Sequence, residues 1–464
     1  MTWEYKFIII GSGPAGFSAA MESAKRGHKT LVIEKEFVVG GTCINTGTFP
    51  SKTLREATLY LTGFLQKNSY SPQDREQISI SMERLRNRLN QVRAQEHTII
   101  KSQLARNGVS LFYGLAELID AHTVTIKTPE GGIETFSSEF IIIASGSTPA
   151  KPSDEDFQQD FVLDSTTLLN MEEIPESLTI IGGGVIGTEY ATIFGTLGVK
   201  VNLLDRGDRF LKFLDGELIE YLKRHFPTLN VRYFPKIGNM KIRKSGDTMR
   251  VTLEDGTSVE SNAILCAFGR KAFYQGLGLN TVGIRLNPWE YIEVNDLYQT
   301  AIPNIYAVGD VIGWPSLASS SIAQGGLAVK YALKIKQFSH FPEIFPFGIY
   351  TIPEISYIGL TEEEATEKKI HYVTGRSFYN ELPRGLISGD LMGLCKILVH
   401  SETREILGVH ILGHGATEVI HTAQMAIQHH GKINVFTENI FNYPTYSEAL
   451  RIAALDANNK LLSR

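Results

Sequence analysis

Short apolar runs, each closed by glycine, proline or charge, recur along the chain with the spacing of buried strands and crossover helices. Tyr5-Lys6-Phe7-Ile8-Ile9-Ile10 meets Gly11-Ser12-Gly13-Pro14-Ala15-Gly16, a helical stretch follows through Ala20, Met21 and Ala24, and Leu31-Val32-Ile33 is closed by Glu34. Runs this short and this apolar predict parallel strands covered on both faces, so the segment reads as a βαβ unit. The pattern returns downstream. Leu178-Thr179-Ile180-Ile181 meets Gly182-Gly183-Gly184-Val185-Ile186-Gly187, a helix is predicted through Tyr190, Ile193 and Phe194, and a strand from Val199 to Leu204 ends at Asp205.

Between the two units, Ser51 to Gly108 reads mainly as helical, with a polar interruption around Asn68 to Asp74. Leu85, Leu89, Val92, Ile99 and Ile100 form a broken helical stripe, read as packing on the first domain. Gly131-Gly132 predicts a hairpin between Thr123–Ile126 and Glu134–Phe136. The strand Ile141-Ile142-Ile143 leads into Ala144-Ser145-Gly146-Ser147-Thr148-Pro149, a crossing between domains. Ile264-Leu265-Cys266-Ala267-Phe268-Gly269-Arg270 closes the second unit in the same way. From about Phe345 the chain shows strand runs, such as Lys396–Val399 and Leu407–Ile411, and an apolar helix near Ala416 to Ile427. No nucleotide fingerprint accompanies them, so a separate α+β domain is predicted.

Composition narrows the function. The 464 residues suggest roughly three domains. With 43% hydrophobic and 20% charged residues, the chain sits well away from disorder-prone compositions. A net charge of -5 supplies no basic field for a phosphate backbone, which argues against nucleic acid as a partner. No apolar run approaches the ~18 residues of a membrane span, and Met1 leads directly into a strand without a basic leader, so a cytoplasmic protein is expected. The three cysteines, Cys43, Cys266 and Cys395, show neither a C-x-x-C pair nor metal-ligand spacing, so no metal site is expected.

Glycine is the one departure, at 42 residues, and two clusters carry chemistry. In G-x-G-x-x-G the first glycine makes a tight turn, the second lets backbone approach a pyrophosphate, and the third lets helix and strand pack closely. Unpaired N–H groups at the helix start then face the anion. Glu34 and Asp205 each lie 23 residues past the first glycine of their loop, at the end of the next strand, where a carboxylate can accept from a ribose hydroxyl. Gly11, Gly13, Gly16 and Glu34 form one candidate site; Gly182, Gly184, Gly187 and Asp205 form the other. Two dinucleotides without a metal point to hydride transfer between a flavin and a nicotinamide dinucleotide.

These residues resemble the two-dinucleotide flavoprotein reductases that include glutathione reductase and dihydrolipoamide dehydrogenase. The similarity runs the whole length, through Gly11–Gly16, Gly40-Gly41-Thr42-Cys43 to Pro50-Ser51-Lys52, Ala144-Ser145-Gly146, Gly182–Glu189, Thr300–Asp310 and Phe441–Glu448. The resemblance implies an α/β chain with two Rossmann-like domains and a C-terminal α+β dimerisation domain. The FAD domain would be discontinuous, 1–146 and 273–344; an NAD(P) domain would occupy 147–272, and the interface domain of a homodimer 345–464. It places FAD on the first glycine loop and Glu34, with Ala116 against the adenine and Asp310 on the ribityl or pyrophosphate region. The helix from Ala318 would aim its positive end at the flavin. Gly41, Thr42, Cys43, Ser145, Gly146 and Gly269 complete the implied cofactor contacts. Lys52 and Glu189 would meet beside flavin N5 as the catalytic pair, Lys52 stabilising the reduced flavin and Glu189 fixing the lysine and contacting the nicotinamide amide.

Two departures bear on the reaction. The disulfide reductases carry a second cysteine where this chain has Thr48, and a hydroxyl forms no disulfide. They also carry a histidine before the proline of Phe441-Asn442-Tyr443-Pro444-Thr445-Tyr446-Ser447-Glu448, where this chain has Tyr443, whose ordinary pKa near 10 makes it a poor acid–base group at neutral pH. Both losses fall on the dithiol half-reaction. The combination is similar to the soluble pyridine nucleotide transhydrogenases (Si-specific type), which exchange hydride between NADPH and NAD+ through FAD. Tyr443 and Glu448 would then lie near the partner's flavin without acid–base duty. Cys43 reads as a structural thiol, with a peroxide-sensitive or flavin-contacting thiol as the alternative.

Asp205 should repel a 2′-phosphate while Arg206 and Arg209 attract one, which suits a site admitting both NAD(H) and NADP(H). Solvated arginines are the alternative. Rival functions are an NAD(P)H dehydrogenase or diaphorase passing electrons to a quinone or other acceptor, a dihydrolipoamide dehydrogenase-like protein, and a nicotinamide-sensing flavoprotein with little turnover.

Overall fold

A computed structural model describes residues 3–64, 80–150, 161–336 and 340–463. The polar interruption expected at Asn68 to Asp74 lies outside the described residues. The fold is mixed α/β and divides into two compact units, Met1–Thr53 with Arg86–Ala150 and Gly269–Pro342, and Leu54–Leu85 with Lys151–Phe268 and Glu343–Arg464.

In the first unit the strands Ser110–Tyr113, Thr30–Glu34, Tyr5–Ile10, the end of Ile133–Ile143, and Ile305–Ala307 run parallel in that order. The register pairs Ile8 with Leu31 and with Ile141. Strand alternation sorts the apolar residues by face. Phe7, Ile9, Val32 and Ile142 meet Ala15, Ala19, Leu327 and Ala328, whereas Ile8, Ile10, Leu31, Ile141 and Ile143 meet Ala116, Leu118, Val124 and Ile126. The second group comes from an antiparallel excursion, Leu115–Leu118, Thr123–Lys127 and the start of Ile133–Ile143, turning at Gly131-Gly132 as expected. The helices Pro14–Ala24 and Ala318–Ala332 cross so closely that a Cβ at Gly325 would lie 2.1 Å from the Ala15 carbonyl oxygen.

The second unit repeats the parallel motif with Val231–Phe234, Lys200–Leu204, Ser177–Ile181, Ala263–Cys266 and Val162–Leu163. It adds a three-stranded antiparallel sheet over 240–261, whose Ile242 and Val251 pack with Ile181, Leu204 and Ile264. Its last part is a five-stranded antiparallel sheet, ordered Phe347–Ile349, Ile355–Gly359, Ile406–Leu412, Leu394–His400 and Tyr372–Phe378, packed with the helices Ala416–Gln428 and Glu448–Leu462.

Of the stripe expected to pack on the first domain, Ile100 on the long helix Met82–Arg106 is buried in the first unit's core and Leu89 is buried, but Leu85 is buried in the second unit's apolar cluster, Val92 is half-buried and Ile99 is exposed. At 3.6 residues per turn, adjacent positions face directions about 100° apart, so Ile99 and Ile100 cannot share a narrow seam.

One polar cluster lies inside the second unit. Lys396, 1% exposed on the strand Leu394–His400, places Nζ 2.8 and 2.9 Å from the two Asp215 carboxylate oxygens, 3.1 Å from Glu217 Oε2, and against Glu362. Asp215 also caps the helix Gly216–His225, its Oδ1 accepting from Glu217 N–H at 3.0 Å. Arg376 grips Glu217 through two bonds of 2.6 and 2.8 Å. Burial favours a neutral Asp215, but the positive potential from His410 and Lys396, with the bonds Asp215 accepts, outweighs it and holds the carboxyl below its usual range. Burial likewise opposes charge on Lys396, and the carboxylates overcome that, raising its pKa.

Lys396→Met leaves Asp215 buried without its cation, and the expected loss is about 3–5 kcal/mol in urea unfolding at neutral pH. Because the folded-state pKa of Asp215 is depressed, its contribution is complete above the unfolded value of 3.8 and disappears as pH falls through the folded value. The variant should therefore lose stability chiefly above pH 4 and converge on the wild type in acid. An equal deficit at every pH would contradict this.

Candidate functional site

The two glycine loops share one geometry. In the first unit, Gly11 has φ +107°, and a Cβ there would lie 2.3 Å from the Ala144 carbonyl oxygen; one at Gly16 would lie 1.9 Å from the Gly11 oxygen. In the second unit, Gly182 has φ +117° and a Cβ there would lie 2.4 Å from the Ala267 oxygen, while one at Gly187 would lie 1.9 Å from the Gly182 oxygen. Side chains at these four positions would collide with backbone. The helices that follow, Pro14–Ala24 and Val185–Thr196, start at Gly13 and Gly184 without a side-chain cap, leaving backbone donors for an anion.

Each predicted acid lies on its loop. Glu34, 5% exposed, accepts at Oε2 from Ser12 N–H at 3.0 Å and Ser12 O–H at 2.5 Å. Gly40 N–H in turn donates to Ser12 Oγ at 3.0 Å, so Glu34 is tied through one serine to the run Gly40-Gly41-Thr42-Cys43. Asp205 approaches so near Gly183 that a Cβ there would be 2.6 Å from its Oδ2.

Asp310 sits in a 3-10 turn, Gly309–Ile312, and accepts from Ser147 O–H at 2.6 Å. Arg270 spans the same place, its Nε 2.8 Å from Ser147 Oγ and 4.0 Å from Asp310 Oδ2, its Nη2 2.6 Å from Ser147 O and 3.3 Å from Thr42 Oγ1. The structure thus gathers Thr42 and Asp310, both expected, around Arg270 and Ser147, neither of which was singled out as a site residue. Ser145 O–H bonds to the Phe273 carbonyl at 2.5 Å; Gly146 and Gly269 adopt φ of +73° and +92°, and Ala116 is buried. Ala318 opens the helix to Ala332.

Lys52 and Glu189 belong to different units. Lys52 Nζ lies 3.3 Å from Ser51 Oγ on the helix Thr48–Thr62. Glu189, 3% exposed, accepts at Oε1 from Tyr350 N–H at 2.8 Å, and one turn on Thr192 Oγ1 accepts from Ile352 N–H at 2.9 Å. These two bonds tie the run Tyr350-Thr351-Ile352 to the helix.

Cys43 is half-buried. Burial pushes its thiol up, and the nearby Thr48 hydroxyl and the charge of Lys52 only partly offset this. Burial pushes Cys266 and Cys395 up to about 12. Tyr443 is 70% exposed, whereas Glu448 keeps a buried oxygen without a hydrogen-bond partner among the described residues.

Residues 5–325 match the family described as "Pyridine nucleotide-disulphide oxidoreductase", and residues 345–454 match that family's dimerisation domain. The chain belongs to the pyridine nucleotide-disulphide oxidoreductases. Members of this family use FAD and NAD(P)H, and the chain is an oxidoreductase. It is 40% identical over 461 residues to a soluble pyridine nucleotide transhydrogenase of Mycobacterium bovis, covering 99% of this chain and 98% of the relative. A protein of the same name from Pectobacterium atrosepticum is 41% identical over 468 residues, covering 99% and 100%. Among solved structures, the HOCl-induced flavoprotein disulfide reductase RclA from Escherichia coli matches with TM-score 0.88 and 26% identity over 97% of this chain and 99% of that one. LpdA from Mycobacterium tuberculosis matches with TM-score 0.88, 26% identity and the same coverage.

The arginines behind Asp205 differ in their surroundings. Arg206 is exposed, with no side-chain hydrogen bond or ion pair among the described residues. Arg209 donates to Glu363 Oε1 at 3.0 Å, to Lys212 O at 2.9 Å and to Leu214 O at 3.2 Å. Asp215, Glu217 and Glu362 bring carboxylate oxygens within 4.8 Å of one another, but the Lys396 ammonium sits among them.

Since Thr48 follows Cys43 by five residues and lies close enough to weigh on its thiol, Thr48→Cys should place two thiols within bonding reach. After denaturation, the oxidised variant should titrate two thiols fewer than the reduced variant, while the wild type titrates the same number in both states. No difference in the variant would show that the loop cannot bring the sulfurs together.

Proposed function

We propose that this protein is a soluble NAD(P)+ transhydrogenase, moving hydride reversibly between NADPH and NAD+ by way of FAD, with each nicotinamide leaving before the next binds. The observation that carries this reading is a sequence one: Thr48 stands five residues past Cys43, where the resembled disulfide reductases carry their second cysteine. Relatives bearing the transhydrogenase name at 40% and 41% identity over nearly the whole chain support it.

The residues present suit the two dinucleotides. Gly11, Gly13 and Gly16 leave a groove free of side chains at a helix start, with Glu34 beside it for a ribose; Gly182, Gly184, Gly187 and Asp205 offer the same to the nicotinamide dinucleotide. Bound FAD would supply a two-electron centre able to take hydride from one nicotinamide and return it to another. The uncapped start of the helix Ala318–Ala332 would favour negative charge on the reduced ring, and Lys52 would add a cation. Glu189 would orient Lys52 and the nicotinamide amide, itself held by Tyr350 N–H. Hydride exchange requires no proton from the Tyr443 position. The division into an FAD domain (1–146, 273–344), an NAD(P) domain (147–272) and a dimerisation domain (345–464), the homodimer and a cytoplasmic location complete the proposal.

The purified protein should carry flavin and reduce thio-NAD+ with NADPH, but not oxidised lipoamide with NADH. Lys52→Met should lower turnover on the order of a hundredfold. Activity with lipoamide alone would overturn the assignment, and turnover indifferent to Lys52→Met would remove its catalytic role. Arg206→Ala should raise the KM for NADPH by about three- to fivefold relative to that for NADH; an equal rise for both would release Arg206 from this role.

A further inference from the structure

Residues 205–216 connect the acid of the second glycine loop to the helix Gly216–His225, and the structure closes this segment on itself. Gly183 O accepts from Leu211 N–H at 2.8 Å, Gly207 O accepts from Lys236 N–H at 2.9 Å, and Arg209 draws the carbonyls of Lys212 and Leu214 together. One contact comes from far along the chain. Glu363 Oε1 accepts from Arg209 Nη1 and from Gly216 N–H, both at 3.0 Å. A Cβ at Gly216 would lie 2.7 Å from that oxygen and 3.0 Å from Arg209 Nη1, so a side chain there would push the ends of Glu363 and Arg209 aside.

Glu363 is presented by a well-fixed element. The short helix Glu362–Glu367 has a reciprocal cap, Thr361 Oγ1 accepting from Glu364 N–H at 3.1 Å and Glu364 Oε2 accepting from Thr361 N–H at 2.9 Å. Its neighbour Glu362 donates N–H to Asp215 Oδ2 at 3.2 Å and places its carboxylate on Lys396. The buried charge cluster thus anchors the base of the clamp, and Glu363 extends from it to Arg209.

We propose that Glu363 is a positioning residue for nucleotide choice: by engaging the Arg209 guanidinium in loop closure, it withholds one of two arginines from a 2′-phosphate, leaving Arg206 to recognise that group. This rests on the reading that a nicotinamide dinucleotide occupies the second glycine loop. A guanidinium that commits three of its five N–H donors to one carboxylate and two carbonyls has only two left to offer a phosphate. Removing the charge should release Arg209 and move the site toward NADP(H).

The holoenzyme and the variants Glu363→Gln, Glu363→Ala, Arg209→Ala and the double variant Arg209→Ala/Glu363→Gln would be titrated calorimetrically with adenosine 2′,5′-bisphosphate and with 5′-AMP. Glu363→Gln should tighten the bisphosphate by about three- to fivefold relative to 5′-AMP. Glu363→Ala should do the same, and the gain should vanish in the double variant. The KM ratio of NADPH to NADH should fall by a similar factor with little change in kcat. A merely structural Glu363 would weaken both nucleotides together and would overturn the proposal. So would a gain that survives loss of Arg209, or a selective loss of bisphosphate binding in Arg209→Ala alone. If the wild type binds neither nucleotide, the site reading fails with it; binding of both at an unchanged ratio in Glu363→Gln removes the clamp alone.

Discussion

A carbonyl oxygen 1.9 Å from where a side chain would begin is a severe constraint, and both units impose it, at Gly16 over Gly11 and at Gly187 over Gly182. The helix cannot withdraw without opening the apolar layer beneath it, where Ala15, Ala19 and Ala20 in one unit and Ala191, Ile193 and Phe194 in the other meet the strands. The glycines are therefore packing residues before they are binding residues. Helix and strand approach closely, the helix start is left bare of side chains, and its N–H groups gather at the end of a parallel sheet, where the next strand delivers an acid.

That constraint is local in sequence, which is why much of the architecture was legible. Strand, glycine loop, helix, strand and acid lie within about thirty residues of one another, the span of a βαβ unit. The Gly131-Gly132 hairpin and the strands Leu394–His400 and Ile406–Leu412 were readable for the same reason: alternation and turn chemistry act over neighbouring residues. Ile99 marks where that reading fails, since an apolar residue beside a stripe is not thereby part of it. The less legible features join distant positions. Ser147 meets Asp310 across 163 residues and Arg270 across 123, with no spacing to suggest that an arginine opening a strand would lie over an aspartate inside a 3-10 turn. Lys396 shows the same limit. Along the chain it is a polar residue in an apolar strand; only the fold shows three carboxylates from other elements around it.

The thiol chemistry follows a parallel logic. Cys43 sits in a half-buried place where desolvation disfavours the thiolate, and its neighbour is a hydroxyl. A thiol held mainly in its neutral form is a weak nucleophile at physiological pH, and without a second sulfur it has no intramolecular partner for a disulfide. The glycine loops and their acids, by contrast, retain the geometry that two dinucleotides require. On the proposed reading, the departures from the resembled disulfide reductases fall on residues that a hydride-exchange reaction would not use.

The segment behind Asp205 carries this further, because discrimination between nucleotides is a difference of affinities rather than the strength of any one contact. On the proposed reading, an acid on the glycine loop would disfavour a 2′-phosphate, Arg206 would favour it, and an Arg209 with three of its donors already engaged would do neither strongly. In the proposed cycle, which binds one nicotinamide, releases it and binds the other, strong preference either way would slow half of the turnover. Opposed and partly cancelled charges around one loop are therefore a physical route to balanced affinity, and the cancellation depends on a carboxylate 154 residues away in sequence, carried by an element anchored on the buried lysine.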